Sequence, residues 1–84
     1  MATILVVEDE PAIQALIALN LEHAGFTVQL ASNAEEGERA IQAALPDAVI
    51  LDWMLPGQSG MALAKKWRAN ERTRDLPILL VTAR

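Results

Sequence analysis

Cysteine is absent from the sequence, and aromatic residues account for only 4% of its 84 positions. Without cysteine, the chain can form neither disulfide bonds nor thiolate metal sites. Because aromatic residues are so few, the hydrophobic share of 52% comes mainly from aliphatic side chains. An aliphatic core is typical of buried parallel strands and of the helices that cover them.

Basic residues are also few, with 7 lysines and arginines against 11 acidic residues and a net charge of -4. An acidic domain has no general attraction for a polyanion, so nucleic-acid binding by this chain is not expected. No apolar run approaches the roughly 18 residues of a membrane-spanning helix, and the short run near the N-terminus ends in acidic residues, unlike a signal peptide. We therefore expect one small cytoplasmic domain over residues 1–84, without a membrane partner.

Strand-like and helix-like patterns alternate along the chain. Four apolar runs predict strands, at residues 3–7, 27–30, 48–51 and 78–81. Apolar residues at helical spacing predict three helices, at residues 11–24, at residues 34–44 and after Ser59, a candidate cap. Pro11 suits the start of the first helix, and Gly25 suits its end. This alternation predicts βαβ units, a parallel sheet and an α/β fold.

We expect a flavodoxin-like open parallel sheet with the strand order 2-1-3-4. Right-handed crossovers then place the first helix on one face and the other two helices on the opposite face. Strands lie about 4.8 Å apart and a helix is about 10 Å wide, so one helix cannot cover a four-stranded face. The apolar fourth strand would therefore have an uncovered patch and an open edge. We expect that a further helix and strand are missing, or that the chain self-associates through this face and the strand-4 edge.

Acidic residues follow two predicted strands at the place where the strand order reverses. Glu8 and Asp9 follow the first strand, and Asp52 ends the third. Such strand ends meet at the carboxyl edge of the sheet, where ligand crevices form. Clustered carboxylates repel one another unless a cation binds or a pKa rises, and oxygen ligands suit Mg²⁺. Alternatively, the acidic residues after the first strand form a solvated loop whose negative charge favours the start of the first helix. This interpretation is the weaker one, because Asp52 ends a neighbouring apolar strand.

Three blocks of sequence occur in an order that is typical of one family. They read ILVVEDEP at residues 4–11, VILDWMLPG at residues 49–57 with Ser59 and Gly60, and LPILLVTAR at residues 76–84. The sequence resembles the receiver domain of two-component response regulators, in particular those of the phosphate-regulon and OmpR type. The resemblance spans the whole chain and about the first two-thirds of a receiver.

The resemblance implies a role for each residue of the cluster. Asp52 would accept a phosphoryl group from the phosphohistidine of a sensor histidine kinase. The implied ligands of Mg²⁺ are Asp9, Asp52 and the backbone carbonyl of Met54, with Glu8 acting through water. Thr82 would hydrogen-bond the phosphoryl group, and Ala83 would leave room for it. Phosphoryl transfer mainly requires such positioning and charge neutralisation. Gly57 and Gly60 are expected to shape the backbone.

The resemblance also implies parts that lie beyond Arg84. Receivers carry a lysine on a fifth strand, and OmpR-type receivers dimerise through a face built from the fourth helix, fifth strand and fifth helix. Lys65 and Lys66 belong to the third helix and cannot take the place of that lysine. We therefore expect residues 1–84 to be a truncated receiver without the fifth strand and the last two helices. It would control DNA only through a transcriptional output domain absent from this chain.

Three other interpretations fit parts of the sequence. A flavodoxin-like cofactor-binding module would have a first loop rich in glycine, serine or threonine, whereas Glu8, Asp9 and Glu10 repel a phosphate unless a metal is bound. An Mg²⁺-dependent phosphohydrolase would need an acid or base two residues after its aspartate nucleophile, where Met54 lies, so we do not expect an enzyme. A purely structural interaction piece is the third possibility.

Two further features are interpreted as structural. His23 near the end of the first helix is favourable for the helix dipole and has no partner for catalysis nearby in sequence. Trp67 falls on the apolar stripe of the third helix, and the charges of Lys65, Lys66 and Arg68 are expected to be solvated rather than to form a nucleic-acid patch.

Overall fold

The structure is a computed structural model, and it describes residues 1–81. Seven elements follow one another in chain order: β1 (Thr3–Val7), α1 (Pro11–His23), β2 (Thr27–Ala31), α2 (Ala34–Ala43), β3 (Ala48–Asp52), α3 (Gly60–Ala69) and β4 (Ile78–Val81). Their order is the predicted alternation of strands and helices. No helix within residues 1–81 is long and apolar enough to cross a membrane.

Local sequence explains where two of the helices begin and end. Pro11 occupies the first turn of α1, and Gly25, just after that helix, has a φ of 97°, which glycine adopts without strain. The hydroxyl oxygen of Ser59 accepts a hydrogen bond from the N–H of Ala62 at 3.1 Å and so caps α3. The predicted start and end of α1 and the predicted cap of α3 are confirmed.

The four strands form one parallel sheet in the predicted order β2-β1-β3-β4. Val6 of β1 pairs with Leu30 of β2 and with Ile50 of β3, which pairs in turn with Leu79 of β4. Paired residues of parallel strands project to the same side, so these four side chains share one face of the sheet. Leu5, the neighbour of Val6, projects to the opposite face.

The main core lies between that opposite face and the helices α2 and α3. Leu5, Leu51 and Leu63 are fully buried, and Trp67 is buried beside them, which confirms its prediction as a core residue. On α2, a Cβ added at Gly37 would lie 3.1 Å from a methyl carbon of Val7, so this helix packs closely on β1. The close packing compensates for the low helix propensity of glycine.

Basic side chains of α3 contact the rest of the protein. Lys66 Nζ lies 2.7 Å from Glu38 Oε1 on α2, although both side chains remain partly in solvent. The guanidinium of Arg68 donates hydrogen bonds to the carbonyl oxygens of Leu76 and Arg74. The expectation that these charges are only solvated is therefore wrong for Lys66, which pairs with Glu38, and for Arg68, because the loop that leads to β4 offers it carbonyl acceptors.

The other face of the sheet is covered only in part by the residues that the structure describes. α1 packs against β1 and β2. Over β3 and β4, Leu79 is 59% exposed. A groove of about 260 Å³ lies between Leu21 and Phe26 on one side and Ile50 and Leu79 on the other. The predicted uncovered patch is thus found within residues 1–81.

Candidate functional site

Three acidic side chains meet at the edge of the sheet where the parallel strands end. Glu8 and Asp9 directly follow β1, and Asp52 is the last residue of the neighbouring strand β3. Carboxylate oxygens from all three residues lie within 4.8 Å of one another. The structure therefore brings together the acidic residues that the sequence placed at this edge. We call them the acidic cluster.

Backbone hydrogen bonds continue past the strand ends and hold the acidic cluster in place. The N–H of Glu8 donates to the carbonyl oxygen of Ala31 at 3.0 Å, which extends the pairing of β1 with β2 by one residue. The N–H of Trp53 donates to the carbonyl oxygen of Val81 at 2.8 Å, which does the same for β3 and β4. Because the sheet fixes the backbone on both sides, the carboxylates have little freedom to move apart.

The acidic cluster is largely removed from solvent. Asp52 is 2% exposed and Glu8 is 3% exposed, while Asp9 is half-buried. Burial, together with the hydrogen bond and the negative charge of Asp52, raises the pKa of Glu8 to about 7. Below this pH the Glu8 carboxyl holds a proton, which limits the repulsion inside the cluster.

Two backbone N–H groups orient the carboxylates. The N–H of Met54 donates to Asp52 Oδ1 at 3.1 Å, and the N–H of Asp9 donates to Glu8 Oε2 at 2.8 Å. The cluster therefore presents only oxygen atoms as ligands, with orientations set by the backbone. An all-oxygen set of this kind suits a hard divalent cation such as Mg²⁺ or Ca²⁺.

The loop after β3 folds tightly over the backbone of Asp52. A Cβ at Gly60 would overlap the carbonyl oxygen of Asp52, and the N–H of Gly60 donates to the carbonyl oxygen of Trp53 at 2.7 Å. Gly57 has a φ of 77°, in the left-handed region that favours glycine. Both glycines therefore shape the backbone, and only glycine at position 60 lets α3 start directly against the end of β3.

Gln14 belongs to the surroundings of the acidic cluster, although the sequence reasoning did not single it out. Its Nε2 lies 3.0 Å from the carbonyl oxygen of Glu8 and 3.2 Å from that of Ala31. The sequence contains a usable signal, since Gln14 stands three residues before Ile17 and seven before Leu21 and is thus a polar residue on the apolar, sheet-facing stripe of α1.

Thr82 and Ala83 lie outside the described residues 1–81, so their predicted roles stay predictions. The last described residue, Val81, is the register partner of Asp52. Within residues 1–81, the predicted site residues Glu8, Asp9 and Asp52 lie together, and the N–H of Met54 donates a hydrogen bond to Asp52.

Comparison with known proteins identifies the family. Residues 4–84 match the family described as the response regulator receiver domain. The phosphate regulon transcriptional regulatory protein PhoB of Rhizobium meliloti is 48% identical over 81 residues, which are 96% of this chain and 36% of that protein. The DNA-binding dual master transcriptional regulator RpaA of Synechocystis is 41% identical over 99% of this chain and 34% of its own length. The chain thus spans about a third of the length of these curated relatives.

Solved structures support the same assignment. The N-terminal domain of a response regulator receiver protein from Methanoculleus marisnigri is 36% identical, with a TM-score of 0.94 over 100% of this chain and 68% of that one. The response regulator TrrA of Thermotoga maritima, solved in complex with Mg²⁺-BeF, is 38% identical, with a TM-score of 0.92 over 100% of this chain and 71% of that one. These similarities confirm the predicted flavodoxin-like fold. The chain belongs to the response regulator receiver domain family of two-component systems.

Proposed function

We propose that this protein accepts a phosphoryl group on Asp52 from the phosphohistidine of a sensor histidine kinase, and that it requires Mg²⁺ to do so. One observation carries the proposal. Buried carboxylates from two adjacent strand ends converge within 4.8 Å at the carboxyl edge of a receiver-family sheet. Ligand sites of open parallel sheets form at this edge, where the strand order reverses.

The acidic cluster fits Mg²⁺ as a cofactor. Its donor atoms are all oxygen, and the pKa of Glu8 is raised by burial and by the neighbouring Asp52 carboxylate. The proposed ligands are Asp9, Asp52 and the backbone carbonyl of Met54, with Glu8 acting through water. When bound, the cation would neutralise negative charge on the cluster and on the transferred phosphoryl group. The Mg²⁺-BeF complex of the similar TrrA supports this choice.

The residues of the chain would mainly hold the Asp52 carboxylate and the phosphoryl group in position for transfer. One carboxylate oxygen of Asp52 attacks phosphorus and forms an O–P bond, while the P–N bond to the kinase histidine breaks and its electron pair stays on the imidazole nitrogen. The N–H of Met54 holds the Asp52 carboxylate through Oδ1 at 3.1 Å. Such alignment of the attacking and leaving atoms is the main task of a protein in phosphoryl transfer.

Thr82 follows Val81, the register partner of Asp52, and we propose that its hydroxyl donates a hydrogen bond to the phosphoryl group. Ala83 would leave space for that group. Met54 stands two residues after the acceptor and offers no acid or base, so the protein would act as a signalling acceptor and not as an enzyme with outside substrates. The named roles of PhoB and RpaA suggest that its phosphorylation controls a transcriptional output domain.

Self-association is a separate proposal, which rests on the exposed apolar patch around Leu79. A second copy of the chain would cover the groove between Phe26 and Ile50 and the edge of β4. Burial of such apolar surface is the usual driving force for association.

The acceptor role is tested with acetyl phosphate, Mg²⁺ and intact mass measurement. We expect the wild type to gain one phosphoryl mass, and Asp52→Asn to gain none. Asp75→Asn is the matched control, since Asp75 is exposed on the loop before β4 and should leave the gain unchanged. Phosphorylation that persists in Asp52→Asn, or that proceeds equally after removal of Mg²⁺, would contradict the proposal.

A further inference from the structure

The peptide group between Glu8 and Asp9 is held at both of its polar atoms. Its carbonyl oxygen, which belongs to Glu8, lies 3.0 Å from Gln14 Nε2. Its N–H, which belongs to Asp9, donates to Glu8 Oε2 at 2.8 Å. Because a peptide group is planar, fixing both atoms fixes the orientation of the whole plane. That plane links two members of the acidic cluster.

The chemistry around Gln14 identifies its contacting atom as the amide nitrogen. The atoms nearest to it are the carbonyl oxygens of Glu8 and Ala31, at 3.0 and 3.2 Å, and these oxygens only accept hydrogen bonds. The two hydrogens of the amide nitrogen match these two acceptors. The hydroxyl oxygen of Ser32 lies farther away, at 3.5 Å. Gln14 thus joins the end of β1 to the end of β2 from the first turns of α1.

We propose that Gln14 is a positioning residue for the metal site. By holding the Glu8 carbonyl oxygen toward α1, it prevents the Glu8–Asp9 peptide from rotating, and so it keeps both carboxylates directed at Asp52. Without this hydrogen bond, the peptide can turn, the contact between the Asp9 N–H and Glu8 Oε2 opens, and the ligands spread. The inference rests on the proposed function, because it concerns the binding of Mg²⁺ by the same cluster.

The first test compares Gln14→Met with the wild type in an Mg²⁺ titration followed by the fluorescence of Trp53, which stands next to Asp52. The methionine side chain is similar in length to that of glutamine and has no N–H donor. Residues that orient metal ligands through hydrogen bonds typically contribute 10- to 100-fold to metal affinity, so we expect Gln14→Met to bind Mg²⁺ roughly tenfold more weakly. Gln42→Met is the matched control, since Gln42 is an exposed glutamine on α2, and it should bind like the wild type.

The second test needs no metal. Amide hydrogen exchange measured by NMR in the absence of Mg²⁺ should be about tenfold faster at Asp9 in Gln14→Met, which corresponds to the loss of one hydrogen bond. The amides of Leu5 and Leu51, inside the sheet, should exchange as in the wild type. A general loss of stability would instead accelerate all three amides together.

The outcomes separate this inference from the function on which it rests. A wild type that does not respond to Mg²⁺ would refute the proposed metal dependence and the role of Gln14 with it. A wild type that responds, together with a Gln14→Met variant of equal affinity and unchanged exchange at Asp9, would refute only the role of Gln14. If Gln14→Met loses the circular dichroism of the fold, Gln14→Asn replaces it under the same two criteria, because its amide is one methylene too short to reach the Glu8 carbonyl.

Discussion

Raising the pH should destabilise the metal-free protein through Glu8. Burial and the neighbouring Asp52 raise the pKa of Glu8 from 4.5 to about 7. Between these two values the folded chain keeps a proton that the unfolded chain has released, so stability falls as the pH rises through this window and levels off above it. At about 1.36 kcal/mol per pH unit, the upper limit of the loss is about 3 kcal/mol.

We expect the free energy of unfolding to fall by about 1 to 2 kcal/mol, because water can approach past the half-buried Asp9 and the cluster can relax when Glu8 ionises. For a chain of this size, this loss corresponds to a fall of roughly 4 to 16 °C in the melting temperature. Thermal unfolding followed by circular dichroism at about pH 5 and about pH 8, without divalent cations, measures the change. Added Mg²⁺ should raise the melting temperature more at the higher pH, since the cation competes with the proton for the same carboxylates.

Glu8→Gln separates this effect from the titration of other groups. Glutamine has nearly the same shape and does not ionise, so the variant should lack most of the decline between the two pH values. Glu71→Gln, at an exposed position after α3, should retain the decline of the wild type. If the melting temperatures of the wild type and of Glu8→Gln change in parallel with pH, the titration of Glu8 does not cause the decline in stability.

Two other predictions concern packing and association. Gly60→Ala should lower the free energy of unfolding, measured by urea denaturation, by about 3 kcal/mol, because the added Cβ meets the backbone of Asp52. Gly37→Ala should change it by about 1 kcal/mol or less, because its Cβ meets only a methyl group of Val7 and alanine has the higher helix propensity. Equal stabilities of the two variants would contradict the close packing at Gly60. Light scattering should show a concentration-dependent rise in mass for the wild type and less of a rise for Leu79→Lys, and a wild type that stays monomeric at high concentration would rule out self-association through this face.

Most of the fold was predictable because its periodicity is local. Each strand is a short apolar run, and each helix carries a stripe of apolar residues. Once the strand order 2-1-3-4 was assumed, the handedness of crossovers gave the placement of the helices on the two faces. The position of Asp52 beside Glu8 was predictable for the same reason, since Asp52 ends an apolar strand that lies next to the strand before Glu8. These inferences need only neighbouring residues and a general rule of topology.

Contacts between distant segments were not predictable in this way. The spacing within α1 places Gln14 on the side that faces the sheet, but it does not specify that the side-chain amide reaches the carbonyl oxygens at the ends of β1 and β2. The contact of Arg68 with the carbonyl oxygen of Leu76 likewise depends on the path of the loop before β4. Gly60 was expected to shape the backbone, but its closeness to Asp52 appears only when α3 is placed against β3.

The register between β1 and β3 connects the fold to the acidic cluster. Val7 pairs with Leu51, so Glu8 and Asp52 follow at the same level, and the alternation along both strands directs their side chains to the face shared by Val6 and Ile50. A shift of one residue in β3 would turn Asp52 toward the opposite face, into the apolar core under α2 and α3. An unpaired carboxylate in that core would be strongly unfavourable. The same energetic preference that buries Leu51 therefore keeps Asp52 beside Glu8, and the geometry of the site depends on the packing of the core behind it.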